Sequence, residues 1–350
     1  MKIEVYSPTI RRKEMESVLT AMVEDKIGPG EQSKFLIQIA REKIKFEYCL
    51  ALRSPAFALY LALRSMDLEK GDGVLISALS PLYYAWVVRE LGFTPVYCDV
   101  LPSTTCMGRE TVEKALSSKP EGLNVKCIVL QHTLGYLADT PAIAELGLPI
   151  IEDHSLSYGS PGGTDSAPEV NIGLFTILGL EERDMLTSGG GALLYSTSRR
   201  LSRQKDVRDS EISGDLPPEY GLPGMNAAMA VVQFREAEKN LQKRQEIAGI
   251  YSHAALRTRH KRFVHHREYN NYAFPLILET GVRDVKTYAR RKDVAVESAF
   301  ENTLIGSGMV PHELCPESYS LSLRTVLFPI YPRLSMADAG KVAKLIQTLP

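Results

Sequence analysis

The stretch that decides the fold is GVLISALSPLYYAWVVRELGFTPVYCDV, residues 73–100. Val74 to Ile76 is a short apolar run set off by the turn Gly71-Asp72-Gly73, and Thr94 to Cys98 is a second run after Gly92. Both read as strands. Between them Tyr83 to Leu91 is apolar at helical spacing and stops at Gly92, as a crossover helix does. A strand, a helix and another strand in this order predict a parallel pair within an α/β sheet.

The same rhythm continues on either side. Upstream, Ala56 to Met66 reads as a helix; downstream, Cys127 to Gln131, Pro149 to Ile151 and Ala192 to Tyr195 read as strands. Asn226 to about Leu256 predicts a long helix with a charged outer face, placed to link two domains. Beyond residue 257, strand-like pieces at Tyr272 to Leu278 and Arg324 to Pro329 alternate with helical ones at Asp284 to Arg291 and Met336 to Leu349. We therefore expect a large domain over 1–245 and a small α+β domain over 246–350.

Composition bounds the function. With 41 basic and 42 acidic side chains among 350 residues, the chain has no basic face for nucleic acid or for an anionic membrane. No stretch reaches the roughly 18 to 20 apolar residues of a membrane span, and the first residues lack the apolar core of a leader, so a cytoplasmic location is expected. Cys49, Cys98, Cys106, Cys127 and Cys315 are odd in number and scattered, which predicts free thiols rather than disulfides or a zinc site. His265-His266 has adjacent, not helical, ligand spacing and is not read as a metal site. Arg199-Arg200 and Arg290-Arg291-Lys292 are expected on solvated faces.

Several short motifs occur in an order that resembles the DegT/StrS family of sugar aminotransferases. Ser7-Pro8-Thr9-Ile10 and Gly28-Pro29-Gly30 are similar to its opening segment and "tGp" turn, and residues 51–59, ALRSPAFAL, to its "ALxSGTxAL". Gly92 to Val96 is similar to "GATPVF", His132-Thr133-Leu134-Gly135 with Ala138-Asp139 to "HLYGxPAD", and Ile151-Glu152-Asp153 with Tyr158-Gly159 to "iEDaAQAHG". Ala227, Ala228, Gln233, Arg244 and Tyr251 recur at the spacing of the family's long helix, and Phe328 to Pro332 resembles the closing "LPLYP". The resemblance implies fold type I of the pyridoxal-phosphate (PLP) enzymes: a three-layer large domain with a mostly parallel, seven-stranded sheet, a small C-terminal domain, and a homodimer with shared active sites. It places the cofactor at the carboxyl ends of the strands, where open α/β sheets bind ligands.

The family's cofactor site can be compared position by position. Asp153 matches the carboxylate that pairs with the pyridinium nitrogen. The Schiff-base lysine falls between Phe175 and the glycines at 189–191, where counting from the left reaches Glu181 and from the right Arg183, with Glu182 between; no lysine occurs between Lys126 and Lys205. A carboxylate is no amine, and a guanidinium stays protonated. The phosphate cup, Ser-Gly-Thr in the family, reads Ser54-Pro55-Ala56, losing an N–H and a hydroxyl. Thr176 and Ser80 stand at further phosphate-side positions, Pro81 at the ring-stacking position, Leu156 at the glutamine that meets the ring hydroxyl, and Glu219 near the asparagine lent by the partner subunit. Tyr83 or Tyr84 could stand in for the stacking ring, though their helical spacing reads as core-facing. His154 is the one new titratable group in the motif and a candidate general acid or base.

These replacements point to a homologue that does not transaminate through an internal aldimine. Three readings follow: a non-catalytic binder of a ligand such as a nucleotide sugar, in a regulatory or scaffolding role; a sugar-modifying, aminotransferase-like or dehydratase-like enzyme that works without lysine, with PLP or pyridoxamine phosphate (PMP) held non-covalently or with no cofactor, through Asp153 and His154; and a partner subunit for an active paralogue.

Overall fold

A computed structural model describes residues 2–102, 104–160, 172–196, 217–264 and 269–350. Residues 199, 200, 265 and 266 lie outside the described residues. The 73–100 stretch folds as read, with β2 (Gly73–Ser77) and β3 (Thr94–Cys98) paired in parallel and α4 (Leu82–Glu90) between them. β2 is buried along its whole length, so its continuous apolar run is that of a strand covered on both faces.

The large sheet also contains β1 (Tyr48–Leu52), β4 (Val125–Gln131), β5 (Ile150–Asp153), β6 (Phe175–Gly179) and β7 (Ala192–Ser196), giving seven strands in the order β1-β7-β6-β5-β4-β2-β3. The pairings from β3 through β6 are parallel; β7 runs antiparallel to both β6 and β1. One core holds α3 (Pro55–Arg64), α4 and α5 (Arg109–Ser118) against the sheet; on another, α2 (Glu31–Lys43) and α7 (Gly224–Ala255) pack against β6 and β7. The short α6 (Thr140–Ala144) joins β4 to β5. A second sheet, β8 (Phe274–Ile277), β10 (Thr325–Phe328) and β9 (Glu297–Ser298), is antiparallel and shares a third core with α8 (Val282–Arg290), α10 (Met336–Gln347) and the end of α7. α9 (Pro316–Arg324) leads directly into β10. α7 runs without interruption through residue 245 and lines both the core beside β6 and β7 and the one shared with the second sheet.

The polar motif residues of α7 tie distant parts of the chain together. Gln233 Nε2 donates to the Thr9 carbonyl at 2.7 Å and to Glu14 Oε1 at 2.9 Å, anchoring the opening segment and α1 (Arg12–Val23). Arg244 Nη1 donates to the carbonyls of Tyr272 (2.8 Å) and Ile330 (2.9 Å), and Tyr251 Oη to that of Pro329 (2.7 Å). The carbonyls of Thr9, Tyr272, Pro329 and Ile330 lie outside the helices and sheet ladders, so these side chains supply the donors they lack. Cys98, Cys106, Cys127 and Cys315 are buried free thiols, Cys49 is half-buried and free, and Arg290, Arg291 and Lys292 are exposed.

Candidate functional site

The carboxyl ends of β4 and β5 bring Gln131 and Asp153 side by side, and β6 ends at Gly179, two residues past Ile177. Gln131 and Asp153 are register partners, as are Asp153 and Ile177, so Gln131 and Asp153 share a face of the sheet. Asp153 is 2% exposed and bonded on both oxygens. Its Oδ1 accepts the Ser155 N–H at 2.8 Å; its Oδ2 accepts the Tyr84 hydroxyl at 2.6 Å and the Tyr83 hydroxyl at 3.3 Å. Burial, then the charge of Asp153, pushes both phenols well above their ordinary range, so they stay protonated as donors. Tyr84 is a core residue of α4, as its helical spacing predicts, yet its hydroxyl is a site group. Gln131, 6% exposed, has an amide oxygen with no hydrogen-bond partner among the described residues.

After Gly179 the chain makes a tight turn. Asp184 Oδ2 accepts the Glu181 N–H at 2.7 Å, the local bond by which an aspartate closes a turn. The carboxylate lies back over the strand end: a Cβ on Gly179 would sit 2.2 Å from Asp184 Oδ2 and 2.7 Å from Ser155 Oγ. Glycine is required there by close approach. Burial raises the Asp184 carboxyl well above its usual range, and the charges of Asp153 and Glu181 raise it further. Arg183 points the other way, exposed and paired with Glu297 at 2.8 Å, with its guanidinium 5.5 Å from the centroid of the Tyr6 ring. Glu182 is exposed, and Glu181 is half-buried with its carboxyl raised by burial. Of this turn's side chains, Asp184, just past the positions that counting singled out, is the one raised by the charge of Asp153.

The remaining family positions are structural in their contacts. Ser54 Oγ caps α3 by accepting the Phe57 N–H at 3.2 Å, Pro55 occupies the first turn, where a missing N–H costs least, and Ala56 follows it. Thr176 is in register with Glu152, which puts it on the face opposite Asp153. Ser80 is fully buried, its hydroxyl unpartnered among the described residues, and its carbonyl accepts the Leu304 N–H at 3.0 Å. Pro81 precedes α4 and bridges to Thr303.

His154 does not share the cleft with Asp153. It follows Asp153 on the strand, so it lies on the face of Glu152, fully buried, with its ring centroid 4.1 Å from that of His132. Glu152 Oε2 accepts from Thr140 Oγ1 (3.0 Å) and His132 Nε2 (3.2 Å), and Oε1 accepts the Gly173 N–H (2.6 Å). His154 Nε2 stands 3.6 Å from Glu152 Oε2, while Nδ1 meets Ser157 Oγ at 2.8 Å. Ligand atoms of His132, Glu152 and His154 come within 4.8 Å of one another, the spacing of a metal site. The outer bonds oppose that reading: His132 Nδ1 accepts the Ala138 N–H at 3.1 Å, so Nε2 carries the proton and has no lone pair for a metal. The cluster is an internal brace between β4, β5 and the 132–140 loop.

Known proteins share this architecture. The DegT/DnrJ/EryC1/StrS aminotransferase family model matches residues 8–347. The chain is a member of that family. An aminotransferase from Streptoalloteichus hindustanus superposes with a TM-score of 0.84 at 19% identity, over 99% of this chain and 98% of that one. A protein described as a sugar aminotransferase from Streptococcus pneumoniae, solved with PMP, gives 0.85 at 17% identity over 99% and 97%. In sequence, an L-glutamine:2-deoxy-scyllo-inosose aminotransferase from Streptomyces fradiae is 28% identical over 183 residues, 50% of this chain but only 41% of that protein.

Proposed function

We propose that this family member does not transaminate through a lysine-bound cofactor, and that it binds a sugar-type ligand at the carboxyl ends of β4 to β6 in a non-catalytic, regulatory or scaffolding role. The observation that carries the reading is the crowding of Asp153: Oδ2 accepts from both Tyr84 and Tyr83 and Oδ1 from the Ser155 N–H, which leaves a pyridinium only the remaining acceptor site on Oδ1. The surroundings agree. No side chain described around Asp153 is an amine, no lysine lies between Lys126 and Lys205, and Ser54-Pro55-Ala56 spends its hydroxyl on a helix cap and lacks an N–H at Pro55. These residues do not fit covalently held PLP.

The sugar class follows from relatives. One fold neighbour, a GDP-4-keto-6-deoxymannose-3-dehydratase variant, was solved with GDP-perosamine, an aminated nucleotide sugar. A homodimer is part of the proposal: Met15, Leu19, Met22, Val23 and Ile27 leave an exposed apolar stripe on and just after α1. The test is amino transfer from glutamate or glutamine to a 4-keto-6-deoxy nucleotide sugar with saturating PLP. No turnover above a no-protein control is expected; sustained multiple turnover would refute the proposal.

A further inference from the structure

The open edge of the large sheet carries a second concave site. β3 pairs only with β2 and so ends the sheet. Its Thr94 N–H donates to the Asp72 carbonyl and its Cys98 carbonyl accepts the Ala78 N–H, so alternation turns the backbone groups of Pro95 and Tyr97 to the open side. There β3, α5 and Leu314 enclose a groove of about 420 Å³, within the roughly 300–1,000 Å³ of small-molecule sites. Neither Asp153 nor its tyrosine partners line it. Pro95, Ala115, Leu123 and Leu314 give it an apolar wall, on which Leu314 is 57% exposed. Its charged side chains are Lys114, Lys119 and Asp99. Asp99 is already engaged: Oδ1 accepts the Val100 N–H at 2.9 Å and the Ser318 N–H at 2.7 Å, and Oδ2 accepts the Glu317 N–H at 2.9 Å, which caps α9. The two lysines form no ion pair among the described residues.

From this pairing of an apolar wall with two unmatched cations we propose that the groove binds a small amphiphilic organic anion, an aryl or alkyl carboxylate, with its body on the wall and its acid group at Lys114 and Lys119. The site is separate from the strand-end cleft and does not rest on the sugar-binding reading. A carboxylate accepts from ammonium groups through charge-assisted bonds, and the Tyr97 N–H on the open edge is a further donor. A peptide strand fits less well, because Pro95 has no N–H to offer an added strand and blunts the edge. An inorganic anion would leave the apolar wall in water, where covering it is worth about 25 cal/mol per Å². The groove also lies where the arm to the second sheet begins. Leu314 precedes α9, α9 leads into β10, and Asp99 holds the first turn of α9. A ligand that spans Leu314 and α5 therefore ties this arm to the edge of the large sheet, as an effector would.

The experiment is calorimetry on the full chain with phenylbutyrate and octanoate, each against the matching alcohol, with amide NMR of tyrosine-labelled protein to locate the binding. It compares the wild type with Lys114→Gln combined with Lys119→Gln, and with Leu314→Gln. At least one acid is expected to bind about tenfold more tightly than its alcohol and to shift the Tyr97 amide. The preference is expected to vanish in the double lysine variant, and affinity for acid and alcohol alike to fall in Leu314→Gln. Lys114 and Leu314 are exposed and Lys119 is half-buried, so both variants are expected to melt as the wild type does. Equal affinity for acid and alcohol, a preference that survives the loss of both lysines, or a Tyr97 amide that does not move would overturn the site. Such a failure leaves the absence of transamination untouched, since the assay contains no cofactor.

Discussion

Tyr84 donates its phenolic hydrogen to Oδ2 of Asp153 across 2.6 Å, joining a core helix to the end of the central strand. The bond is charge-assisted and sealed from solvent, and a buried carboxylate that loses such a donor costs about 1–3 kcal/mol. Tyr84→Phe is therefore expected to lower stability by that amount in urea unfolding, with Tyr83, at 3.3 Å, as partial replacement. A change within a few tenths of a kcal/mol would mean that Asp153 does not depend on this bond.

The position of Asp184 over the end of β6 makes Gly179 a sensitive residue. An added methyl would overlap Asp184 Oδ2 at 2.2 Å and Ser155 Oγ at 2.7 Å. Gly179→Ala is expected to destabilise by roughly 1–3 kcal/mol, as overpacking does. The double variant Gly179→Ala with Asp184→Ala should regain much of that loss. If the double variant is simply additive, Asp184 does not lie where the turn places it.

Restoring an amine at the counted position is not expected to restore the chemistry. Arg183 is an exposed residue bonded to Glu297, away from Asp153, and a lysine put in its place would follow the same path outward. Arg183→Lys with excess PLP should show no borohydride-trapped mass at that position. An adduct there would put the 180–184 turn in a different orientation.

The His132–Glu152 brace predicts an acid-side loss of stability. Burial, then the neighbouring His154, lowers the His132 pKa from 6.5 to about 4; against the opposing effect of burial, the adjacent imidazoles hold Glu152 below the usual carboxylate range. Between these limits for His132 the unfolded chain binds a proton that the folded chain refuses, so stability falls as pH drops through about 6.5 toward 4. Moving from about pH 7.5 to about pH 5 should cost about 2 kcal/mol at this residue. Glu152, with its lowered pKa, extends the loss in the same direction at lower pH. In His132→Gln the slope between those two conditions should flatten by a similar amount; an unchanged slope would assign the loss elsewhere.

The order of strands and helices was legible because burial leaves a periodic trace. Thr94 to Cys98 is bounded as read, and Asn226 to Leu256 differs from the observed Gly224–Ala255 by only two residues at the start and one at the end. β1 and β6 were less visible: Tyr48–Leu52 is a half-buried edge strand without a clear alternation, and Phe175–Gly179 runs into a turn whose shape comes from Asp184 rather than from apolar spacing.

The site was legible only in part, for a related reason. Asp153 stood out through its motif, but its partners did not. Tyr84 has the spacing of a core residue and is one, and nothing in one sequence reveals that its hydroxyl reaches 69 residues along the chain to Asp153. Gln131 closes an apolar strand and looks like its polar end; only the register beside Asp153 makes it a site residue. His154 invited a catalytic role by adjacency, whereas strand alternation sends it to the Glu152 face.

The most direct measurement is an absorbance titration of the purified protein with PLP and with PMP, before and after borohydride, read together with the intact mass. No saturable aldimine band and no mass increase after reduction are expected. A reduced phosphopyridoxyl adduct on a lysine of the cleft would contradict the proposal that this chain holds no cofactor through a lysine.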